Sequence, residues 1–533
     1  MQETAIERVR KANSIPELMD GAVAAYSDLV AFQNYSNSLS FGDMGRYTDA
    51  LAAFLQTEMG VGKGTKVALM APNCLAHPCV TLAILKCGAI QVSVNPMYTP
   101  DELQHQLIDS EAEVILIFSG SIASFARIRD VVGVKKVVVI HLGDCGQVAL
   151  PSPPVPDGFD DFVLLSDALK KGATLPFTPV AVTRDDLALL QYTGGTTGPS
   201  KGAMLTHGNL LANLDQFHDV FAGITEEGEE IIVTALPLYH IFALTGNFLF
   251  YASFGGTNIL ITNPRDMDQF IGAIRNARFT RINGVNTLYA GMMLHPEFAK
   301  IDFSRLKLAL GGGTATLQVV SDKWQAATGK PILEAYGLSE TSPALTVSKP
   351  DGREFTGTIG YAVKQSEIRI VDENDVELPD GEPGELICRG PQVTQGYYKR
   401  PEANAEAFTK DKFFRTGDIA IRDDQGRYKI VDRKKDMVIV SGFNVYPNDV
   451  EQTASRCSGI QECACIGIPD EVTGEAVKLF VVRKPGTSVG KDEIIAFCRE
   501  HLAAYKIPKQ IAFIDEVPKS AVGKMLRREL RGK

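Results

Sequence analysis

From Lys66 to about Ile370, short β-rich runs alternate with longer segments at helical spacing. The runs fall at 67–70, 90–94, 114–118, 137–140, 187–193, 231–235 and 259–262. Between them, Ala83, Ile84 and Cys87, and later Leu210, Leu211 and Leu214, recur with the period of a helix. Strands and helices that take turns in this way can bury their apolar faces only as stacked α/β layers. The proline-rich stretch 151–156 predicts a surface loop between two such subdomains. After Arg369 the texture changes to short strands punctuated by Asp380-Gly381 and Pro383-Gly384 turns, which predicts a small β-rich module. A charged cluster from Asp432 to Asp436 then introduces about a hundred residues with their own alternation. Helices are expected there near 448–456 and 492–501, and strands at 464–468 and 476–482. The domain boundary is placed at that cluster, and no internal repeat or low-complexity tract is found.

Composition removes several classes of function. With 533 residues, 45% hydrophobic and 22% charged, the chain has the make-up of a folded globular protein of about two to four domains. A net charge of −10 argues against non-specific nucleic-acid binding, so an anionic ligand must be held by a local site. Nine cysteines without a CxxC pair or a spaced Cys/His set support neither a disulfide scaffold nor a zinc site. Cys463 and Cys465 read instead as buried strand residues in a reducing compartment. The start of the chain lacks the apolar stretch of a signal peptide, and the longest apolar region, 241–254, is too short to span a bilayer. A cytoplasmic protein is expected, with peripheral contact at the inner face of a membrane left open.

Four motifs carry chemistry. Tyr192 to Gly202 reads YTGGTTGPSKG, in which glycines admit phosphate oxygens to backbone N–H groups, hydroxyls add donors and Lys201 adds a mobile charge. The segment is expected between an apolar strand and a helix covering 205–214. It lacks the Gly-Lys-Ser/Thr order of a Walker A loop, which disfavours a kinase or GTPase. The second motif joins Gly311-Gly312-Gly313 to Glu334, Ala335, Tyr336, Ser339 and Glu340. Glycine backbone and a tyrosine face suit a flat base, and Glu340 could ligate Mg²⁺, although alone it reads as a solvated helix residue. The third is Arg415 to Asp418, a turn whose carboxylate could accept from ribose hydroxyls. The fourth is 518–527, where Lys524 follows Gly523 in a basic tail that composition alone would leave solvated.

In this order and spacing the motifs resemble the superfamily of adenylate-forming enzymes: acyl-CoA synthetases, firefly luciferase and peptide-synthetase adenylation domains. The resemblance runs from roughly Leu39 to Arg528. It is closest to bacterial long-chain fatty-acid–CoA ligases, through YTGGTTG, 236–247, 260–266, 284–289, 431–437, 441–448 and 518–530. It implies a ligase that uses ATP, Mg²⁺ and coenzyme A. The fatty acid would be activated as an acyl-adenylate with release of pyrophosphate, and the thiol would then displace AMP. A medium-chain or aryl acyl-CoA ligase and a non-catalytic nucleotide-binding protein are the alternatives. An amino-acid-adenylating domain is disfavoured, because 238–242 offers no acidic partner for an ammonium group.

The resemblance also implies roles. Lys524 would be the catalytic lysine. Thr193, Gly194, Gly195, Thr196, Thr197 and Lys201 would form the phosphate loop, with Thr193 and Glu340 holding the metal. Gly313, Glu334, Ala335 and Tyr336 would line the adenine, Ser339 would approach the α-phosphate, and Asp418 and Arg433 would bind the ribose. His240, which in isolation reads as a core histidine, would stand at the mouth of an acyl pocket bordered by Leu244, Val285 and Gly311. Lys435 would be a hinge, and Ser441, Gly442, Phe443 and Asn444 would contact CoA. Ala335, Ser339 and Glu334 replace the more usual glycine, threonine and glutamine, and Leu244 replaces the tryptophan gate of one branch. The implied fold is α/β: a large N-terminal domain, 1–432, of layered subdomains with a small β-barrel-like module, and a small mobile α+β domain, 433–533. The implied assembly is a monomer or homodimer.

Overall fold

The computed structural model describes residues 3–193, 200–520, 523 and 525–531. The architecture is mixed α/β, and the described residues fall into two compact units. The first comprises 1–356, 362–366 and 390–407, and the second 357–361, 367–389 and 408–533.

Two sheets organise the first unit. One is seven-stranded, in the order Val163–Leu164, Lys136–Ile140, Val114–Phe118, Lys66–Met70, Ile90–Val94, Leu187–Thr193 and Lys201–Thr206. Its strands are parallel except the last, which runs antiparallel to Leu187–Thr193. Parallel strands need helical crossovers, and helices such as Ala76–Lys86 and Pro100–Ser110 supply them. The helix Pro100–Ser110 starts with a Thr99/Glu102 capping box and proline in its first turn, so its N-terminal N–H groups are satisfied by the sequence itself. The other sheet carries parallel strands Thr257–Leu260, Ile231–Thr234, Arg281–Gly284, Leu308–Gly311 and Ile332–Gly337 side by side. Its interior strands Ile231–Thr234, Arg281–Gly284 and Leu308–Gly311 are buried along almost their whole length, as strands covered on both faces are.

The helical segment after His240 packs wholly inside the first unit. Ile241–Ala243 and Phe250–Ser253 are α-helical and Leu244–Leu249 forms a π-helical turn, with every residue from Ala243 to Ser253 buried. Among the described residues no helix is long and apolar enough to cross a membrane.

The second unit holds a four-stranded antiparallel sheet in sequence order, Glu367–Val371, Gly384–Arg389, Phe414–Arg422 and Tyr428–Arg433. It also holds an α+β module in which Ile460–Asp470 and Gly474–Arg483 form the central hairpin, with helices Pro447–Ala454 and Lys491–His501. All nine cysteines are free thiols and buried, and Cys463 and Cys465 lie on the strand where the sequence puts them.

Two expectations about the elements are corrected. The glycine-threonine segment does not lead from a strand into a helix. Its flanks, Leu187–Thr193 and Lys201–Thr206, are antiparallel neighbours with Thr193 opposite Lys201, and the helix begins only at His207. The apolar spacing of Leu205, Leu210, Leu211 and Leu214 starts on the strand and continues on the helix, with Thr206 as N-cap between them. The described flanks of the segment are thus two paired strands rather than a strand and a helix. The run expected at 259–262 is also displaced, to Thr257–Leu260.

Candidate nucleotide site

Ligands of open α/β sheets bind beyond the carboxyl ends of the strands. In the sheet of parallel strands that edge is built by Gly284, Gly311 and Glu334, which stand in register on three neighbouring strands. A Cβ at Gly311 would lie 2.5 Å from the Thr316 hydroxyl, and one at Gly312 would lie 2.8 Å from the Phe242 ring. A side chain at either place would have to displace its neighbour. Gly313 adopts a φ of +77° and is exposed, with its Cβ position 3.8 Å from Val285. The glycine run is thus a backbone ledge, with Phe242 and Val285 beside it.

Glu334 is buried and accepts a 3.0 Å hydrogen bond from the Thr316 backbone N–H, so its carboxylate ties the segment after the ledge to the strand. Ala335 and Tyr336 continue that strand, half-buried, opposite Val347 and Thr346. The chain then turns tightly. A Cβ at Gly337 would fall 1.8 Å from the Pro343 carbonyl oxygen, so no other residue fits without moving backbone. The turn Ser339–Thr341 follows, with Ser339 half-buried. Glu340 is 6% exposed and accepts 2.7 Å hydrogen bonds from the Tyr397 hydroxyl at its side chain and from Thr394 N–H at its carbonyl. It sits in a single 3-10 turn and is buried rather than solvated. A buried carboxylate that accepts from the Tyr397 hydroxyl suits one-carboxylate ligation of Mg²⁺, whose remaining ligands come from water and phosphate. Among the described residues no cluster of three metal-ligating side chains occurs.

Thr193 ends its strand half-buried, and Lys201 begins the next with its ammonium 5.3 Å above the Tyr397 ring. Gly194, Gly195, Thr196 and Thr197 lie outside the described residues. Tyr192, just before them, donates a 2.8 Å hydrogen bond to Asp109, which also pairs with Arg400. Burial, reinforced by the Asp109 carboxylate, holds the Tyr192 phenol well above its ordinary range.

His240 precedes the buried helical segment, partly exposed, and its Nδ1 accepts from the Phe242 N–H at 3.3 Å. Leu244 is fully buried in the π-helical turn, Val285 is 8% exposed, and Gly311 is buried. In the second unit Asp418 and Arg433 are cross-strand partners, 3.4 Å apart between carboxylate and Nε. Lys435 follows them. Burial, and then the charge of Arg433, lowers its pKa to about 8. Ser441 and Gly442 both take left-handed φ values, 51° and 81°, at an exposed turn. Phe443 and Asn444 are also exposed, with Phe443 stacked 4.8 Å from Tyr505. Lys524 lies outside the described residues.

Sequence reasoning missed two groups. Tyr397 contacts both Glu340 and Lys201. Arg527 donates to Glu451 at 2.8 Å and Asn448 at 2.7 Å, and lies 3.7 and 3.4 Å from Asp432 and Asp436. The basic composition of the tail hid the second, and nothing local marked the first.

A glycine ledge, a half-buried aromatic strand and a buried carboxylate at the carboxyl edge of a parallel sheet suit a nucleotide-binding α/β protein. The family model described as AMP-binding enzyme matches residues 19–398, and the one described as AMP-binding enzyme C-terminal domain matches 449–524. This chain belongs to the AMP-binding enzymes. A Salmonella typhimurium protein named long-chain-fatty-acid–CoA ligase is 44% identical over 533 residues, covering 97% of this chain and 94% of its own. A protein of that name from Bacillus subtilis is 36% identical over 540 residues, covering 97% and 94%. Among solved structures, ATP-bound MatB from Rhodopseudomonas palustris superposes with a TM-score of 0.85 at 28% identity, covering 98% of each chain.

Proposed function

We propose that the chain is an ATP-dependent acid:CoA ligase for long-chain fatty acids. The observation that carries this reading is the likeness, along nearly the whole chain, to proteins named long-chain-fatty-acid–CoA ligase. In the first step a carboxylate oxygen attacks the α-phosphorus of ATP, the bond to the β-phosphate oxygen breaks, and pyrophosphate leaves. In the second the CoA thiol attacks the acyl carbonyl, its proton is lost, and AMP leaves.

Two anions must meet in the first step, so positive charge has to be supplied locally. We assign that task to Lys524 and Lys201, with the phosphate loop 193–197 cradling the triphosphate. Glu340, helped by Thr193, would hold Mg²⁺, which when bound neutralises phosphate charge. Gly313, Glu334, Ala335 and Tyr336 bind the adenine, Ser339 approaches the α-phosphate, and Asp418 with Arg433 binds the ribose. His240, Leu244, Val285 and Gly311 border the acyl chain. The functional domains divide at 432/433, with Lys435 as the pivot that exchanges the Lys524 turn for the Ser441–Asn444 loop at the CoA step.

Purified protein with ATP, Mg²⁺ and oleate should release pyrophosphate, and CoA should convert the product to a thioester. No pyrophosphate with any acid would leave a non-catalytic nucleotide-binding protein. A series of acids of graded length distinguishes a long-chain preference from a medium-chain or aryl one. We place the enzyme in the cytoplasm; co-sedimentation with anionic vesicles tests peripheral contact with the membrane, and light scattering tests monomer against homodimer.

A further inference from the structure

The phosphate-loop strand has a second neighbour. On the side away from Leu187–Thr193, Met204 N–H donates to Gly396 O at 2.9 Å, Tyr398 N–H donates to Gly202 O at 2.9 Å, and Ala203 bridges Tyr397. The segment 392–397 is also stitched to the Glu340 turn. Thr394 N–H donates to Glu340 O at 2.7 Å, the Thr394 hydroxyl donates to Met204 O at 2.7 Å, and the Ser342 hydroxyl donates to Gln392 O at 2.8 Å. Tyr397 itself is gripped by one side chain, Asn404, which accepts from its N–H at 2.7 Å and donates to its carbonyl at 2.9 Å. Its backbone is therefore fixed from three directions, which holds the side chain's point of attachment in place.

That side chain has two ends with different chemistry, and both are used. The ring face carries the Lys201 ammonium 5.3 Å from its centroid, and the hydroxyl donates to Glu340 Oε1 at 2.7 Å. A ring face attracts a cation through its quadrupole without neutralising it, and a phenol donor favours the ionised carboxylate without cancelling its charge. Lysine and glutamate close together would otherwise pair directly. Each would then have to be pulled from the other before the lysine could meet phosphate or the carboxylate could meet a metal. Tyrosine is the side chain that meets both demands at once.

We propose that Tyr397 is a positioning residue that holds the Glu340 carboxylate and the Lys201 ammonium in separate places, ready for a metal-bound triphosphate. The inference rests on the reading of Glu340 and Lys201 given above, and deepens it. Tyr397→Phe keeps the ring and removes only the donor. It should weaken binding of ATP in the presence of Mg²⁺ about tenfold, the worth of one hydrogen bond to a charged group, and leave binding of metal-free ATP nearly unchanged. Tyr397→Leu removes both ends and should weaken both.

Titration calorimetry with ATP, with and without Mg²⁺, reads these effects without turnover. The KM for ATP with Mg²⁺ should rise with little change in kcat. In a Glu340→Gln background Tyr397→Phe should cost nothing more, because the group that it positions is gone. If wild type binds and turns over ATP while Tyr397→Phe binds it equally with and without Mg²⁺ as wild type does, the inference falls and the functional reading stands. Additive losses in the double variant would also overturn it. If wild type itself shows no Mg²⁺-dependent ATP binding, the functional reading is what fails.

Discussion

Replacing Arg527 by leucine should loosen the C-terminal module by an amount that depends on pH. The guanidinium is 12% exposed and faces three carboxylates: Glu451 at 2.8 Å, Asp436 at 3.4 Å and Asp432 at 3.7 Å, themselves 13%, 11% and 0% exposed. Taking one partner from such a buried set leaves uncompensated charge and costs about 3–5 kcal/mol. Protection of the Ile460–Asp470 strand against hydrogen exchange should then fall by roughly a hundredfold or more. The sign with pH comes from Asp432. Burial raises its carboxyl from 3.8 to about 6 in the folded chain, with Arg527 the largest opposing influence. Because this folded-state pKa is raised, the group's contribution to stability falls as pH rises from the ordinary carboxylate range through 6. Without Arg527 the Asp432 and Glu451 carboxyls climb further, so the variant's deficit is largest above about pH 7 and shrinks as protonation relieves the buried charge. Protection factors for wild type and Arg527→Leu, compared across about pH 5 to 8, give the test. Equal protection in the two proteins, or a deficit that is the same throughout, would refute the reasoning.

Lys524→Ala should abolish pyrophosphate release while sparing thioester formation from synthetic acyl-AMP, and Lys435→Pro should do the reverse by freezing the pivot; equal loss of both steps in either variant removes its assigned role. Lys435 should be acylated by an amine-directed reagent with a midpoint near its lowered pKa of about 8, where an ordinary lysine titrates near 10.5, as peptide mass spectrometry after pulse labelling would show. Because this amine's pKa is lowered on folding, its contribution to stability rises with pH between those two values. Gly337→Ala, which forces a Cβ to 1.8 Å from the Pro343 carbonyl, should cost about 1–3 kcal/mol or more in thermal melting and impair ATP binding through the displaced Glu340 turn. Gly272→Ala, on the helix Met267–Ile274 with nothing within 4 Å, should instead be neutral or gain up to about 1 kcal/mol.

Local chemistry was legible in the sequence wherever neighbours along the chain decide the outcome. The strands Ile90–Val94, Val114–Phe118 and Leu187–Thr193 match the runs read from the sequence residue for residue, because strands buried in a parallel sheet are rich in aliphatic residues, even where Gln91, Ser93 and Gln191 interrupt them. The glycines at 311–313 also announced a backbone surface, since few other reasons exist for three in a row after an apolar run. Where a residue's fate depends on distant partners, the sequence was silent or misleading. Leu205 and Thr206 read as the start of a helix and instead end the strand Lys201–Thr206, because Leu187–Thr193 on one side and Tyr397 with its neighbours on the other take up its backbone hydrogen bonds. Glu340 would be a solvated carboxylate by local rules. Tyr397, 57 residues away, and the turn demanded by Gly337 make it a buried, oriented one. Arg527 looks like one more charge in a basic tail until Glu451, 76 residues earlier, is folded against it. The order of residues dictates most of the elements and all of the chemical groups that this chain can bring to a site. Which charges lose their water, and which partner replaces it, is settled by packing in three dimensions, because desolvation and hydrogen bonding depend on neighbours across space rather than along the chain.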